Sequence, residues 1–257
     1  MTPETLGLIA LAWLGLAVGS FLNVCIHRLP RHASIMRPRS RCPQCDYELR
    51  WSDNIPVVSY ALLRGRCRQC GTRISVRYPI VEVLTLAVFL LHYAVFGWSA
   101  LLAVRLIFAC ALIVLFAIDL EHHLLPDAIT LPGIAAGLIF SLVVPPGIVD
   151  SFIGTIVGGG VLWAIGEAYY RFAGQEGMGG GDVKMLAMVG AFLGWKLVIV
   201  TLFLSSILGS VIGLVVIASR RGGMKYALPY GTFIALGALV ASLYGEQIVN
   251  WYVGLYA

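Results

Sequence analysis

The sequence predicts an all-α polytopic membrane protein with about eight transmembrane helices, on three observations. Hydrophobic residues fill 59% of the 257 positions and charged residues only 12%, with a mean hydropathy of +0.88. Soluble domains carry about a quarter charged residues. Eight apolar runs can be marked, at 6–26, 80–96, 99–118, 128–144, 152–170, 183–195, 197–218 and 228–252. The third observation is that the basic residues fall almost entirely on one side of the resulting topology.

Most of the runs reach the roughly 17 to 25 residues a spanning helix needs. The run 183–195 is the weak one, because its 13 residues give about 20 Å of helix against a hydrocarbon core of about 30 Å. The first run is read as a retained helix rather than a cleaved signal: it lacks a basic leading segment, is long, and is followed by a strongly basic flank.

Cytoplasmic loops carry the excess of Lys and Arg. The loop 28–79 holds 11 of the chain's 18 basic residues against three acids, so it is expected in the cytoplasm, with the N-terminus outside. Arg171, Lys184, Arg220, Arg221 and Lys225 then also fall inside, which requires 183–195 to cross. Lys196 falls outside, and Arg105 lies within a span, where snorkelling to the outer interface is the expected explanation. The net charge of +5 reflects this loop and adhesion to anionic membrane lipid, with no nucleic-acid partner inferred.

Along the chain, Gly19, Ser20 and Asn23 share one face of the first span and are expected to pack helix on helix. Cys25 and Cys110 read as buried thiols in apolar spans. The loop holds the other four cysteines as Cys42-Pro43-Gln44-Cys45 and Cys67-Arg68-Gln69-Cys70, with 21 residues between the pairs. Two CxxC pairs at such spacing are expected to close a four-thiolate zinc site, and a reducing compartment disfavours disulfides. A closed four-Cys shell leaves no open position for catalysis, so the zinc is structural. In a loop with few aliphatic residues, metal binding would contribute most of the folding free energy. Pro79 fits the first turn of the second span, and Glu82 follows it, either complementing the helix dipole or acting in function.

The acids are informative by position. Glu82, Asp119, Glu121, Asp127, Glu167 and Asp182 all map to the inner interface, where carboxylates are costly and tend to be functional. Glu167 precedes Arg171 by four residues and is expected to pair with it. His122 and His123 are adjacent, point about 100° apart on a helix, and lack the i, i+4 spacing of a zincin. Asp182 sits in Gly177-Met178-Gly179-Gly180-Gly181-Asp182-Val183-Lys184, where Gly179, Gly180 and Gly181 remove side chains that would keep an extended peptide away. The plain alternative makes Asp182 a helix N-cap. Asp119 and Asp182 both end inner-leaflet helices, so packing can bring them together. Two carboxylates in one site share a proton, one acting as base on a water and the other as acid. That is the chemistry of peptide hydrolysis without a covalent intermediate, and no GxSxG elbow offers another nucleophile.

The pairing of Asp119-Leu-Glu-His-His-Leu-Leu-Pro-Asp127 with Gly179-Gly180-Gly181-Asp182, a Gly-x-Gly-Asp motif of intramembrane aspartyl proteases, resembles the type IV prepilin peptidases. The resemblance extends to Gly19-Ser-Phe-Leu-Asn23, both CxxC pairs, Asn54-Ile-Pro56, Arg77-Tyr-Pro79 with Glu82, and Leu228-Pro-Tyr-Gly231. It implies a multi-pass enzyme of the bacterial inner membrane, its active site facing the cytoplasm. Such an enzyme cuts the short basic leader of prepilins or pseudopilins after a glycine. It then N-methylates the new terminal residue, usually phenylalanine, from S-adenosylmethionine. By position it assigns Asp119 and Asp182 as the catalytic pair and the four cysteines as zinc ligands. Residues 1–98, with the loop 28–79, become the methylation module, and 99–257 the peptidase domain. One departure is Thr232, where many members carry proline after the Pro-aromatic-Gly run.

Three other readings are weighed against this one. A transporter predicts acids near the midplane, whereas these cluster at one interface. A zinc-loop scaffold leaves the aspartates idle. A leader peptidase without methylation remains open, because no nucleotide-binding fingerprint marks an S-adenosylmethionine pocket and methylation rests on the resemblance alone.

Overall fold

A computed structural model describes residues 2–37, 39–175, 177–219 and 229–255. Among them there are no β-strands, only two isolated bridges, and the chain divides into two compact units, Met1–Trp98 and Ser99–Ala257.

In the first unit, α1 (Pro3–Arg28) starts on Thr2, whose hydroxyl accepts the Thr5 N–H at 3.3 Å, with Pro3 where its missing donor costs nothing. A short helix α2 (Val58–Leu62) lies within the loop, and α3 (Arg77–Phe96) ends at Gly97, whose φ of 55° suits glycine. Helices in lipid gain little from hydrophobic association, so close backbone approach has to supply the attraction. Small residues provide it: a Cβ on Gly19 would stand 2.7 Å from the Glu82 Cα, and one on Gly15 3.0 Å from the Leu86 Cα. The expected helix-on-helix role of the Gly19 face is what the structure shows.

The second unit contains α4 (Ala100–His122), α5 (Asp127–Phe140), α6 (Ile148–Ala173), α7 (Gly180–Leu193), α8 (Trp195–Ser219) and α9 (Tyr230–Gly254). At its centre is α7, buried continuously from Met185 to Leu193. It packs on α6 where Gly154 and Gly158 meet the backbone around Gly190 and Leu186. On another side Phe192 stacks on Phe108 of α4 with centroids 4.8 Å apart. Ile234, Ala235, Ala238 and Ala241 of α9 complete the core.

The eight apolar runs therefore correspond to eight helices, but six of these are long and apolar enough to cross a membrane by themselves. The 14 residues of α7 span about 21 Å. It tolerates this because Met185 to Leu193 are buried among other helices of the unit rather than facing lipid. The second short helix is α5, also 14 residues. Its run was expected to continue to 144, but residues 141–144 form turns ahead of Pro145-Pro146, which cannot extend a helix and bias the preceding residue away from it.

Arg105 is a second correction. It is 6% exposed and its Nη1 donates to the Phe192 carbonyl at 3.3 Å, with the Glu246 charge close by, so it is held inside the unit instead of snorkelling. Cys110 is only half buried, unlike Cys25. Glu167 and Arg171 do pair, at 2.9 Å. Arg220, Arg221, Lys225 and Leu228 lie outside the described residues.

Candidate active site

Asp119 sits in the last turn of α4, which closes when His123 takes a left-handed conformation at φ 52° and returns its N–H to the Asp119 carbonyl at 2.9 Å. The Asp119 side chain is buried, and its Oδ2 accepts two hydrogen bonds from one residue of α9: the Thr232 N–H at 2.6 Å and the Thr232 hydroxyl at 3.0 Å. Thr232 is third in α9, where a backbone N–H has no partner inside the helix. The carboxylate of α4 thus satisfies an orphan donor of α9.

Asp182 is third in α7, and the N-cap is Gly179 in extended conformation. The N-cap reading of Asp182 is set aside by this: its N–H donates back to the Gly179 carbonyl at 3.1 Å, and its carboxylate stands at the positive end of the helix. It is half-buried, with the exposed Gly179 and Gly180 beside it. The glycines divide the work. A Cβ on Gly179 would lie 3.3 Å from Asp182 Oδ2, Gly180 faces open space, and a Cβ on Gly181 would lie 2.9 Å from the Leu125 Cβ. Gly181 therefore makes room for the chain's own Leu125 rather than for a substrate.

Leu125 links the two carboxylates. It contacts the Gly181 position, next to Asp182, and also Gly231, where a Cβ would be 2.8 Å from Leu125 Cδ1 and 2.9 Å from Asp119 Oδ2. Asp182 lies within range of the Asp119 charge. Lys184 Nζ bonds both oxygens of Asp127 at 2.8 Å, fastening the first turn of α7 to that of α5. The acids expected at one interface, Asp119, Asp127 and Asp182, are thus at one end of this unit. Glu82 belongs to the first unit, buried and accepting the Val57 N–H at 2.7 Å, which holds the loop onto α3 where Val57 has an unfavourable φ of 59°.

In the loop of the first unit, the sulfurs of Cys42, Cys45, Cys67 and Cys70 all lie within 4.8 Å of one another and could hold a metal ion. Cys42 and Cys70 are 3.8 Å apart and Cys45 and Cys67 4.0 Å. A tetrahedron with metal–sulfur bonds of about 2.3 Å has edges of about 3.8 Å, so the donor set fits. The two knuckles are built alike. Cys42 N–H donates to the Tyr47 carbonyl and Cys67 N–H to that of Thr72, while Asp46 and Gly71 take the same positive φ, 54° and 72°. The shared Cys-x-Gln-Cys pattern was the available sign of this repeat.

Sequence reasoning passed over Asp53, which pins the knuckles together. Its Oδ1 accepts Arg68 Nε at 2.8 Å and lies 2.7 Å from Arg68 Nη2; its Oδ2 accepts the Tyr47 hydroxyl at 3.3 Å and the Arg50 N–H at 3.4 Å. Burial pushes the Asp53 carboxyl up, but the hydrogen bond and charge of Arg68, with the other donors, hold it below the usual carboxylate range. A depressed folded value means stabilisation present above the ordinary Asp value of about 3.9 and lost as pH falls through the folded value. The difference in hydrogen exchange between wild type and Asp53→Asn at Trp51–Asn54 should therefore be constant near neutrality and close only in acid. A difference that widens on acidification would contradict this.

The model of the bacterial peptidase A24 N-terminal domain matches residues 13–96, and that of the type IV leader peptidase family matches 106–214. A prepilin leader peptidase/N-methyltransferase of Aeromonas salmonicida (strain A449) is 39% identical over 93% of this chain and 91% of its own. The chain belongs to the type IV leader peptidase family. Proteins of the same name from Pseudomonas putida, 40% identical over 91% of this chain and 90% of theirs, and from Burkholderia pseudomallei (strain 1026b), 37% identical over 90% and 84%, agree. No solved structure matches. In this leader-peptidase family member both Asp119 and Asp182 fall within the family's own segment, and all four cysteines within the N-terminal one. Thr232 lies beyond both.

Proposed function

We infer that this protein is a prepilin leader peptidase and N-methyltransferase of the bacterial inner membrane. The observation that carries the reading is the approach of Asp119 and Asp182 at one end of the second unit, beside the open backbone of Gly180, in a chain whose relatives are named for that activity.

The chemistry follows from two carboxylates sharing one proton. The ionised carboxylate takes a proton from a water as its oxygen bonds to the scissile carbonyl carbon, and the carbonyl oxygen takes the proton of the other carboxyl. As the tetrahedral intermediate collapses the carbon–nitrogen bond breaks. The leaving nitrogen takes the proton held by the first carboxylate, and the second recovers one from the intermediate's hydroxyl. No proton is gained or lost by the pair over the cycle. A Cβ on Gly180 would meet no atom of another part of the protein within 4 Å, which leaves room for an extended substrate backbone beside Asp182.

Zinc suits the four thiolates of Cys42, Cys45, Cys67 and Cys70, and its role is to fold the loop. We assign residues 1–98 to methyl transfer, for which S-adenosylmethionine supplies the methyl group, and residues 99–257 to hydrolysis. The basic excess in 28–79 supports a cytoplasmic loop with the N-terminus outside. The substrates are prepilins or pseudopilins, reached within the membrane lipid.

Intact-mass measurement of a prepilin co-expressed with this protein tests the reading. The expected product has lost its leader and gained one methyl group. Leader loss without the methyl would leave a peptidase alone, and an unchanged prepilin would overturn the proposal.

A further inference from the structure

We propose that Thr232 is a positioning residue that assigns the two halves of the dyad, fixing Asp119 as the base and leaving Asp182 to carry the shared proton. This rests on the aspartyl reading above and adds to it a division of roles that two like carboxylates do not reveal by sequence.

The geometry is asymmetric. Asp119 is buried and receives both the Thr232 N–H at 2.6 Å and the Thr232 hydroxyl at 3.0 Å on the same oxygen, Oδ2. A backbone N–H can only donate, so Oδ2 must accept, and a proton on Asp119 would have to sit on Oδ1. Two donors on one oxygen favour the charged form and hold the carboxylate plane. Oδ1 is then the oxygen left for the water. Asp182 is held less firmly: its carboxylate takes a single backbone hydrogen bond, from Gly179 at the start of its helix, against two donors on Asp119, and it is half-buried beside exposed glycines. Two like carboxylates share one proton, and the partner with fewer donors on it is the one left to hold that proton.

The other groups around Asp119 do not bond its carboxylate, although the charge of a protonated His123 acts in the same direction as Thr232. Leu125 of the α4–α5 connection approaches through carbon, and a Cβ on Gly231 of α9 would lie 2.9 Å from Asp119 Oδ2. His123 follows on its own chain end and Asp182 faces it from α7. Asp127 of α5 is engaged by Lys184 of α7. Thr232 alone bonds the carboxylate directly among the described residues.

Position 232 also tolerates the decisive substitution. Third in its helix, its N–H makes no bond within α9, so proline removes both donors without breaking the helix ladder. Valine removes the hydroxyl and keeps the N–H, and serine keeps both. The acid limb of the pH profile of kcat/KM reports the base of the free enzyme. Losing donors to a carboxylate raises its pKa, so the limb should move to higher pH, by about one pH unit per donor lost. Thr232→Ser should keep the wild-type profile, Thr232→Val should move it partway, and Thr232→Pro should move it furthest, with kcat lowered and KM for a prepilin peptide unchanged.

If Thr232→Pro does not fold, the ordered difference between the serine and valine variants decides alone. An acid limb identical in serine and valine variants, with Asp119→Asn inactive, would overturn the role of Thr232 while leaving the dyad standing. Activity in folded Asp119→Asn would overturn the dyad itself.

Discussion

Replacing either Asp119 or Asp182 by asparagine should lower leader cleavage by about 10²- to 10⁴-fold, the range that one positioned acid or base contributes. Asparagine keeps the size of the side chain and can still accept the Thr232 N–H on its carbonyl oxygen, so the fold around α4 and α9 is preserved. What it cannot do is take or give the proton. Because the two residues act as one unit, the double variant should be little worse than either single one. Cleavage of a purified prepilin, followed by gel shift at matched enzyme concentration, measures this directly. Substantial activity in either folded variant would remove the aspartyl mechanism.

The second large effect concerns the loop. Changing Cys67 to serine removes one of four ligands from a site whose binding free energy is also folding free energy, on the order of 10 kcal/mol for structural zinc sites. Cys67 is the buried member of its knuckle, and its N–H closes the turn onto Thr72. The expected outcome is loss of the bound zinc, rapid proteolytic nicking at the arginines of 28–79, and loss of methylation. Metal analysis and limited proteolysis of the purified variant check it. Fully active wild-type enzyme containing no zinc would defeat the assignment.

The general architecture and the clustering of the four loop cysteines could be read from the chain because both have periodic or local signatures. Apolar runs mark helices wherever the solvent is lipid, and CxxC pairs mark metal by spacing. What could not be read depends on contacts between elements distant in sequence. The length of α5 was overestimated because its hydropathy continues past the point where Pro145-Pro146 ends the helix. Arg105 looked like a snorkelling residue because its helix alone does not show the Phe192 carbonyl it meets from α7. Leu125 is an ordinary leucine in sequence; its importance comes from lying between Gly181 and Gly231, 50 or more positions onward.

Thr232 is the instructive case. In the sequence it was a departure from a proline pattern with only local consequence expected. In the fold that same change gives Asp119 a backbone donor that a proline has no hydrogen to supply. Asp53 was likewise one acid among eleven arginines, and its role appeared only when Arg68 came back across the loop to meet it.

The division of labour between the two units can be tested in a single reaction mixture. Purified, folded enzyme carrying both Asp119→Asn and Asp182→Asn is given an intact prepilin peptide, a pre-cleaved peptide with a free amino terminus, and S-adenosylmethionine, and the masses of both peptides are followed. With hydrolysis confined to the aspartate pair and methyl transfer to the first unit, the prepilin should stay whole while the short peptide gains one methyl group. A cut prepilin, or a short peptide left unmethylated under conditions where the wild-type enzyme methylates it, would contradict that division.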